Sequence, residues 1–218
     1  MIRAVVFDFD GLILDTEVPI YEAWRHAFET YGAGPLTMDE WAKEIGTIGG
    51  LDLVGMLRDR ATKPFDEDEM HTLRSLYRQE LQALEKIRPG VVDWLDEADT
   101  RGIKAAVASS SEIDWVEGHL IALGIRDRFA FVACCGTGLS PKPEPDSYQA
   151  ALRALSVEPS DALAVEDSPH GITAARAAGL TCIAVPNTIT AQLDVSHADL
   201  VVSSLADFSL ADAIARFG

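Results

Sequence analysis

Positive charge is scarce in this 218-residue chain. Its 18 lysines and arginines stand against 35 aspartates and glutamates, for a net charge of −17. A field of that sign repels nucleic acid phosphates and anionic lipid, so neither nucleic acid nor membrane is expected as a partner. It also repels a phosphorylated metabolite, so any such ligand needs a local positive centre. Cysteine is scarce too. Cys134, Cys135 and Cys182 cannot build a disulfide framework, their spacing fits no zinc site, and all lie in apolar stretches that suit buried, reduced thiols. Long hydrophobic runs are missing. The longest charge-free stretch, Ala177 to Leu193, holds Pro186, Asn187, Thr188, Thr190 and Gln192 and is no membrane span. Met1 to Asp8 reaches an acid too soon for a signal peptide, and a cytoplasmic location is the expectation. Neither G-x-G-x-x-G nor G-K-[ST] follows a predicted strand, which excludes a dinucleotide fingerprint and a P-loop. Apolar residues at 48% and charged residues at 24% exclude disorder as the main state.

What the chain does have is a series of short apolar runs that end in polar residues. Ile2 to Phe9 stops at Asp10-Gly11, Ile103 to Ala108 at Ser109-Ser110-Ser111, and Phe129 to Cys135 at Gly136-Thr137-Gly138. Ala162 to Val165 stops at Glu166-Asp167, Thr181 to Val185 at Pro186-Asn187, and Leu200 to Val202 at Ser203-Ser204. Apolar runs without polar alternation fit strands buried on both faces of a parallel sheet. Helical patterns fill the gaps at Pro89–Thr100, Glu112–Leu123, Pro145–Leu155, Pro169–Ala178 and Leu205–Phe217. This alternation predicts an α/β fold, a doubly wound parallel sheet whose ligand site lies at the carboxyl ends of the strands.

Residues 16–86 break the alternation. They read as helices only, at Pro19–Tyr31, Thr37–Ile45, Leu51–Ala61 and Asp66–Leu84, punctuated by glycine and proline. Trp24, Phe28, Trp41, Leu53, Leu57, Leu73, Leu76, Leu81 and Leu84 are the candidate core of this block. The expected organisation is a core domain of residues 1–15 and 87–218, with residues 16–86 inserted as an all-helical cap.

The polar clusters carry the chemistry. Asp8 and Asp10 leave the first strand two residues apart and can converge on one small volume. Other strand ends offer Ser109, then Lys142 within Ser140 to Asp146, then Glu166-Asp167. Taken singly, each has a plainer reading: an Asp-Gly turn, a helix cap, a surface lysine, a helix start. Together they supply carboxylates, a hydroxyl and a cation, and a hard oxygen-ligand site of this kind suits Mg²⁺. Gly at the fourth rather than the sixth position of the first loop excludes an EF-hand.

At this point the sequence resembles the haloacid dehalogenase-like hydrolase superfamily, over the whole chain. Its four motifs read here as Asp8-Phe9-Asp10-Gly11, Val107-Ala108-Ser109, Lys142-Pro143-Glu144-Pro145-Asp146 and Glu166-Asp167-Ser168. The helical insert is similar to the cap of the β-phosphoglucomutase and phosphoglycolate phosphatase group. The resemblance implies a Rossmann-like core and a phosphatase acting on a small phosphorylated metabolite. It implies Asp8 as nucleophile, Asp10 as general acid and base, and Ser109, Ser110 and Lys142 as holders of the phosphoryl oxygens. Asp8, Asp10, Glu166 and Asp167 would hold Mg²⁺, Asp10 through its main-chain carbonyl. Asp10 argues against dehalogenation, since dehalogenases of the superfamily lack that second aspartate.

Sugar-phosphate mutases of this group usually carry a histidine early in the first cap helix and an arginine in the cap's substrate loop. By ungapped counting those positions hold Ile20 and Gly49, which makes hydrolysis the expectation. A mutase, or an idle binding protein on the same fold, is the alternative. Thr47, Ile48 and Gly49 are the candidate specificity residues, in the loop Ile45 to Gly50. Arg74 and Arg78 share a helix face and are expected at the solvated surface, and His170 is expected to stabilise its loop. Oligomeric state is not legible.

Overall fold

The structure is a computed structural model that describes residues 1–41, 52–82, 86–135 and 138–218. Strand β1 (Ala4–Phe7) leads into α1 (Glu17–Thr30), α2 (Met38–Trp41), α3 (Leu53–Arg60) and α4 (Glu67–Gln82). Then come α5 (Val91–Arg101), β2 (Lys104–Glu112), α6 (Ile113–Ala122), β3 (Phe131–Cys135), α7 (Asp146–Leu155) and β4 (Ala162–Glu166). Helix α8 (Pro169–Ala177), β5 (Thr181–Ala184), β6 (Leu200–Val201) and α9 (Leu210–Phe217) complete the chain. All six strands are parallel, in the order β3-β2-β1-β4-β5-β6. The expected α/β sheet is therefore the one observed. From β1 the chain first winds toward β3, then returns and winds outward to β6. That reversal opens a crevice at the carboxyl ends of β1 and β4, where such sheets bind ligands.

Each side of the sheet has its own core. Val5, Phe7 and Phe9 point to one side and pack with Trp94 and Leu95 of α5, Val116 and Leu120 of α6, and Leu210 of α9. Phe7 meets Trp94 and Phe129 edge-on, with ring centroids 6.3 and 6.0 Å away, the geometry aromatic quadrupoles favour. Ala4 and Val6 point the other way, onto Tyr148, Ala151 and Leu152 of α7 and Ile172 and Ala175 of α8. The two-residue alternation of a strand produces this split.

The helical block buries Trp24, Phe28, Trp41, Leu53 and Leu57 together, as the sequence suggests, and adds Tyr31, Leu36 and Met70. Ile189, from the segment after β5, enters the same cluster and seats the block on the sheet domain. Leu73 is partly buried against this cluster, whereas Leu76 is 57% exposed. Met70, Leu73, Arg74 and Tyr77 occupy the inner face at helical spacing, and Leu76 falls off it. Leu84 lies outside the described residues. Where the chain leaves and re-enters the sheet domain the two segments run side by side, with Leu14 bridged to Ile87. Among the described residues no helix is long and apolar enough to cross a membrane.

Candidate active site

Register brings the carboxylates together. Phe7 pairs with Val107 on one side and with Val165 on the other, so Asp8, Ala108 and Glu166 come level, with β2 running on beyond them to Glu112. Asp8 and Glu166 are the next residues of adjacent strands, which lie about 4.8 Å apart. The Asp8 amide donates to the Val165 carbonyl at 2.9 Å, extending the ladder past β1.

Lys142 closes this pair from the loop after β3. Its Nζ donates to Asp8 Oδ1 and, at 2.5 Å, to Glu166 Oε1. All three side chains are buried. Glu166 has no spare acceptor capacity to speak of. Oε1 also accepts from the Tyr148 hydroxyl at 2.8 Å, and Oε2 accepts from the amides of Asp167 and Ser168 and from the Ser168 hydroxyl. Burial raises the Asp8 carboxyl, to about 8, with Lys142 opposing the rise. Burial alone would lower the Lys142 ammonium, but Asp8 and Glu166 outweigh it and hold the group above its ordinary range. The ammonium is a fixed cation at the strand ends, shared between two carboxylates.

Asp167 is the third carboxylate. Burial, Asp8 and Glu166 push it well above its usual range, and Arg88 opposes them. Its Oδ2 accepts from Asn187 Nδ2 at 2.9 Å, and its Oδ1 accepts no hydrogen bond among the described residues. Asp8, Glu166 and Asp167 place carboxylate oxygens within 4.8 Å of one another. Three buried carboxylates against one ammonium leave an excess of negative charge, and a hard divalent cation fits both that charge and the all-oxygen donor set.

Asp10 points elsewhere. Its Oδ1 accepts from Thr16 Oγ1 at 2.9 Å and Trp115 Nε1 at 3.0 Å, and its Oδ2 from Ser111 Oγ at 2.6 Å and Ser109 Oγ at 3.4 Å. The Asp10 carboxylate is outside the three-carboxylate cluster. Ser109 is buried and lines the same cavity as Asp8, while the Ser110 hydroxyl accepts from the Lys142 amide at 3.0 Å. The structure therefore brings together every predicted site residue that it describes. Thr47, Ile48 and Gly49 lie outside the described residues.

Two glycines are fixed by these carboxylates. Gly11 has φ +85°, and a Cβ there would lie 2.3 Å from Asp167 Oδ2. A Cβ on Gly171 would lie 1.9 Å from the Glu166 carboxyl carbon. Ser168 caps α8, accepting from the Gly171 amide at 3.2 Å, so Glu166 and Asp167 lie at a helix N-terminus that favours negative charge. Asn187 Oδ1 accepts from the Ile189 and Thr190 amides. Arg88 donates to the carbonyls of Gly11, Val185 and Pro186, tying the first loop to the end of β5.

Sequence reasoning did not single out Tyr148, Trp115, Ser111, Asn187 or Arg88. Tyr148 carried a usable signal: it lies on the apolar face of α7 with Ala151, Leu152 and Leu155, and a buried tyrosine hydroxyl needs a partner. The others are placed by loop geometry that spacing does not reveal.

Asp8, Asp10, Ser109, Trp115, Lys142 and Asp167 line a cavity of about 950 Å³ between sheet and insert. Thr16, Glu17, Ile20 and Arg78 face it from the insert side. Arg78 was expected in solvent; instead it lines the cavity, with its Cζ 5.4 Å from the Trp115 ring centroid and its Nε buried without a hydrogen-bond partner. The inner face of α4 carries it there. Arg74 lies over Trp24 at 4.5 Å. His170 lines the cavity too, at the second position of α8. Burial, with Asp10 and Asp15 nearby, lifts Glu17 to about 7.

The haloacid dehalogenase-like hydrolase family model matches residues 5–185, all four strand-end clusters included. The chain belongs to the haloacid dehalogenase-like hydrolases. Within that family it is 39% identical over 211 residues to YhcW of Bacillus subtilis, whose name describes it as a phosphatase, covering 97% of this chain and 96% of YhcW. It is 30% identical to the β-phosphoglucomutase of Bacillus subtilis, over 95% of this chain and 92% of that one. The crystal structure of CbbY from Rhodobacter sphaeroides in complex with phosphate superposes with a TM-score of 0.73 at 32% identity, over 97% of this chain and 99% of CbbY. Full-length matches of this kind place the haloacid dehalogenase-like motifs and the helical insert in one continuous resemblance.

Proposed function

We propose that this haloacid dehalogenase-like phosphatase hydrolyses a small phosphorylated metabolite in the cytoplasm, through an aspartyl phosphate on Asp8 and with Mg²⁺ as cofactor. One observation carries the reading: the buried Lys142 ammonium bonded to both Asp8 and Glu166, beside Asp167, at the crevice end of β1. A carboxylate oxygen of Asp8 attacks phosphorus. The bond from phosphorus to the ester oxygen breaks, its electron pair goes to that oxygen, and Asp10 delivers the proton that completes the alcohol. Asp10 then takes a proton from water as the water attacks the aspartyl phosphate, releasing inorganic phosphate and free Asp8. Lys142 neutralises charge on the transferring oxygens, Ser109 and Ser110 hold them, and Glu166 with Tyr148 orients Lys142.

Asp8, Asp167 and the main-chain carbonyl of Asp10 would hold Mg²⁺, and Glu166, whose oxygens are taken up by hydrogen bonds, would add its negative charge from beside them. When bound, the ion supplies Lewis-acid stabilisation of negative charge on the phosphoryl group. Residues 16–86 act as a cap on the core of residues 1–15 and 87–218, entered and left at the Leu14–Ile87 bridge. Closing it over the cavity excludes bulk water and presents Glu17, Ile20 and Arg78 to the organic part of the ester. Thr47, Ile48 and Gly49 contribute to choosing that part.

A relative crystallised with xylulose-1,5-bisphosphate and another named β-phosphoglucomutase support phosphorylated small molecules as the substrate class. Hydrolysis is favoured over mutation because ungapped counting puts Ile20, which lines the cavity, where mutases of this group usually carry histidine. The test is inorganic phosphate release from a panel of sugar, polyol and short-chain organic phosphates, with Mg²⁺ and with EDTA. Metal-dependent release from at least one ester supports the reading. Isomerisation of a sugar phosphate without phosphate release would replace it with a mutase.

A further inference from the structure

We propose that Trp115 positions Asp10 and fixes which of its oxygens carries the transferable proton, with Arg78 of the insert holding the indole in place. The inference rests on Asp10 being the general acid, as read above.

Asp10 accepts from four side chains, and they are not equivalent. Thr16, Ser109 and Ser111 offer hydroxyls, which can turn from donor to acceptor. The Trp115 indole N–H is a donor only. It reaches Oδ1 at 3.0 Å, and because the unprotonated oxygen of a carboxylic acid is the better acceptor, that bond favours a proton on Oδ2. Both partners of Oδ2 are hydroxyls, Ser111 at 2.6 Å and Ser109 at 3.4 Å, and either can accept once Oδ2 is protonated. The indole bond thereby biases the proton that Asp10 gives to the leaving oxygen toward Oδ2, the oxygen on the Ser109 side. A wholly hydroxyl-lined site would let the proton settle on either oxygen.

The indole is itself held from two sides. His119, one turn further along α6, lies with its ring centroid 4.1 Å from that of Trp115, and its Nδ1 is 2.8 Å from the Trp115 carbonyl. On the cavity side the Arg78 guanidinium lies 5.4 Å from the ring centroid. The Arg78 Nε has no hydrogen-bond partner, and the nearby acid on which its charge acts is Glu17, at the start of α1. A cation near an aromatic ring is attracted by the ring's negative face. Trp115 belongs to α6 of the sheet domain and Arg78 to α4 of the insert, so the orientation of the acid depends on the insert being seated.

The experiment compares kcat/KM for an alkyl phosphate, whose alkoxide must be protonated as it leaves, with that for p-nitrophenyl phosphate, whose phenolate leaves unaided. Both values report phosphoryl transfer to Asp8. Trp115→Phe keeps a ring and removes the N–H, and should lower the alkyl-to-aryl ratio on the order of tenfold, the value of one hydrogen bond to a charged group. Arg78→Met should lower the ratio by a smaller factor, about threefold. Asp10→Asn sets the limit, with a loss on the order of a hundredfold or more in the same ratio. If Trp115→Phe lowers both substrates equally while Asp10→Asn lowers the ratio, Trp115 has no part in positioning the acid and Asp10 keeps its role. If Asp10→Asn leaves the ratio unchanged, the reading of Asp10 falls and this inference falls with it. Should Trp115→Phe fold poorly, replacing Trp115 by benzothienylalanine, which keeps the bicyclic shape and lacks the N–H, reads the same ratio. A wild-type ratio there overturns the inference.

Discussion

The same substitution at two helical glycines should have opposite effects. Alanine in place of glycine within a helix is ordinarily worth about 0.5–1 kcal/mol, because the backbone loses less freedom on folding. At Gly118, exposed on α6, a Cβ meets nothing within 4 Å. Gly118→Ala should therefore stabilise by roughly that amount, a rise in Tm of about 2 °C for a domain of this size. At Gly171 on α8 the Cβ would lie 1.9 Å from the carboxyl carbon of Glu166. Glu166 is fully buried and accepts from Lys142, Tyr148, Ser168 and two amides, so it cannot swing aside without breaking bonds. Overpacking costs about 1–3 kcal/mol, and each hydrogen bond lost from a charged group roughly 1.5–3 more. After the helix gain is subtracted, Gly171→Ala should destabilise by about 2–4 kcal/mol, lowering Tm by roughly 5–15 °C. Because Glu166 holds Lys142, kcat/KM should fall at least about tenfold in the protein that remains folded. Thermal unfolding followed by circular dichroism, with phosphate release well below Tm, checks both halves. A Gly171→Ala protein with wild-type Tm and turnover would refute the packing of Glu166 and the role given to it.

Metal binding should separate the acidic pair: Asp167→Ala should raise the Mg²⁺ concentration needed for half-maximal activity more than Glu166→Gln does, since Asp167 has an open oxygen and Glu166 does not. The reverse order in a Mg²⁺ titration counts against that division. Glu17 gives a pH prediction. Its carboxyl is held near 7 in the folded protein against 4.5 in an unperturbed chain, so the folded state binds the extra proton between those values. Its stabilising contribution is full below about 4.5 and is lost as pH rises through 7, on the order of 3 kcal/mol in all. Glu17→Gln should flatten that part of the stability curve; a variant curve parallel to the wild type would show that Glu17 does not titrate there.

Much of this was legible because strands of a parallel sheet are buried on both faces. Apolar runs such as Ala162 to Val165 stand out, and their polar ends mark one edge of the sheet. Asp8, Ser109 and Glu166 could be grouped without knowing the strand order, since neighbouring parallel strands whose apolar runs turn polar at the same level bring those polar residues together. Residues reaching the site from outside those ends escaped. Trp115 lies one turn beyond the strand that carries Ser109, where the pairing of β2 with β3 slips between Ser109 and Glu112. Arg78 depends on how α4 is rotated, and an arginine at a helical i,i+4 spacing fits a solvated face as well as a buried one. Leu76 was misplaced for the same reason. Arg88 and Asn187 act on main-chain carbonyls and on a neighbouring carboxylate, contacts that leave no periodic trace in a sequence.

Covalent catalysis at Asp8 is the step on which the proposed hydrolysis depends. Its most direct measurement is acid quench of the enzyme during turnover of a ³²P-labelled ester, followed by proteolysis and mapping of the labelled peptide. One phosphoryl group is expected on the peptide that contains Asp8, released by hydroxylamine as an acyl phosphate is, and absent in Asp8→Asn. No label during active turnover, or label on Ser109 or any residue other than Asp8, would contradict it.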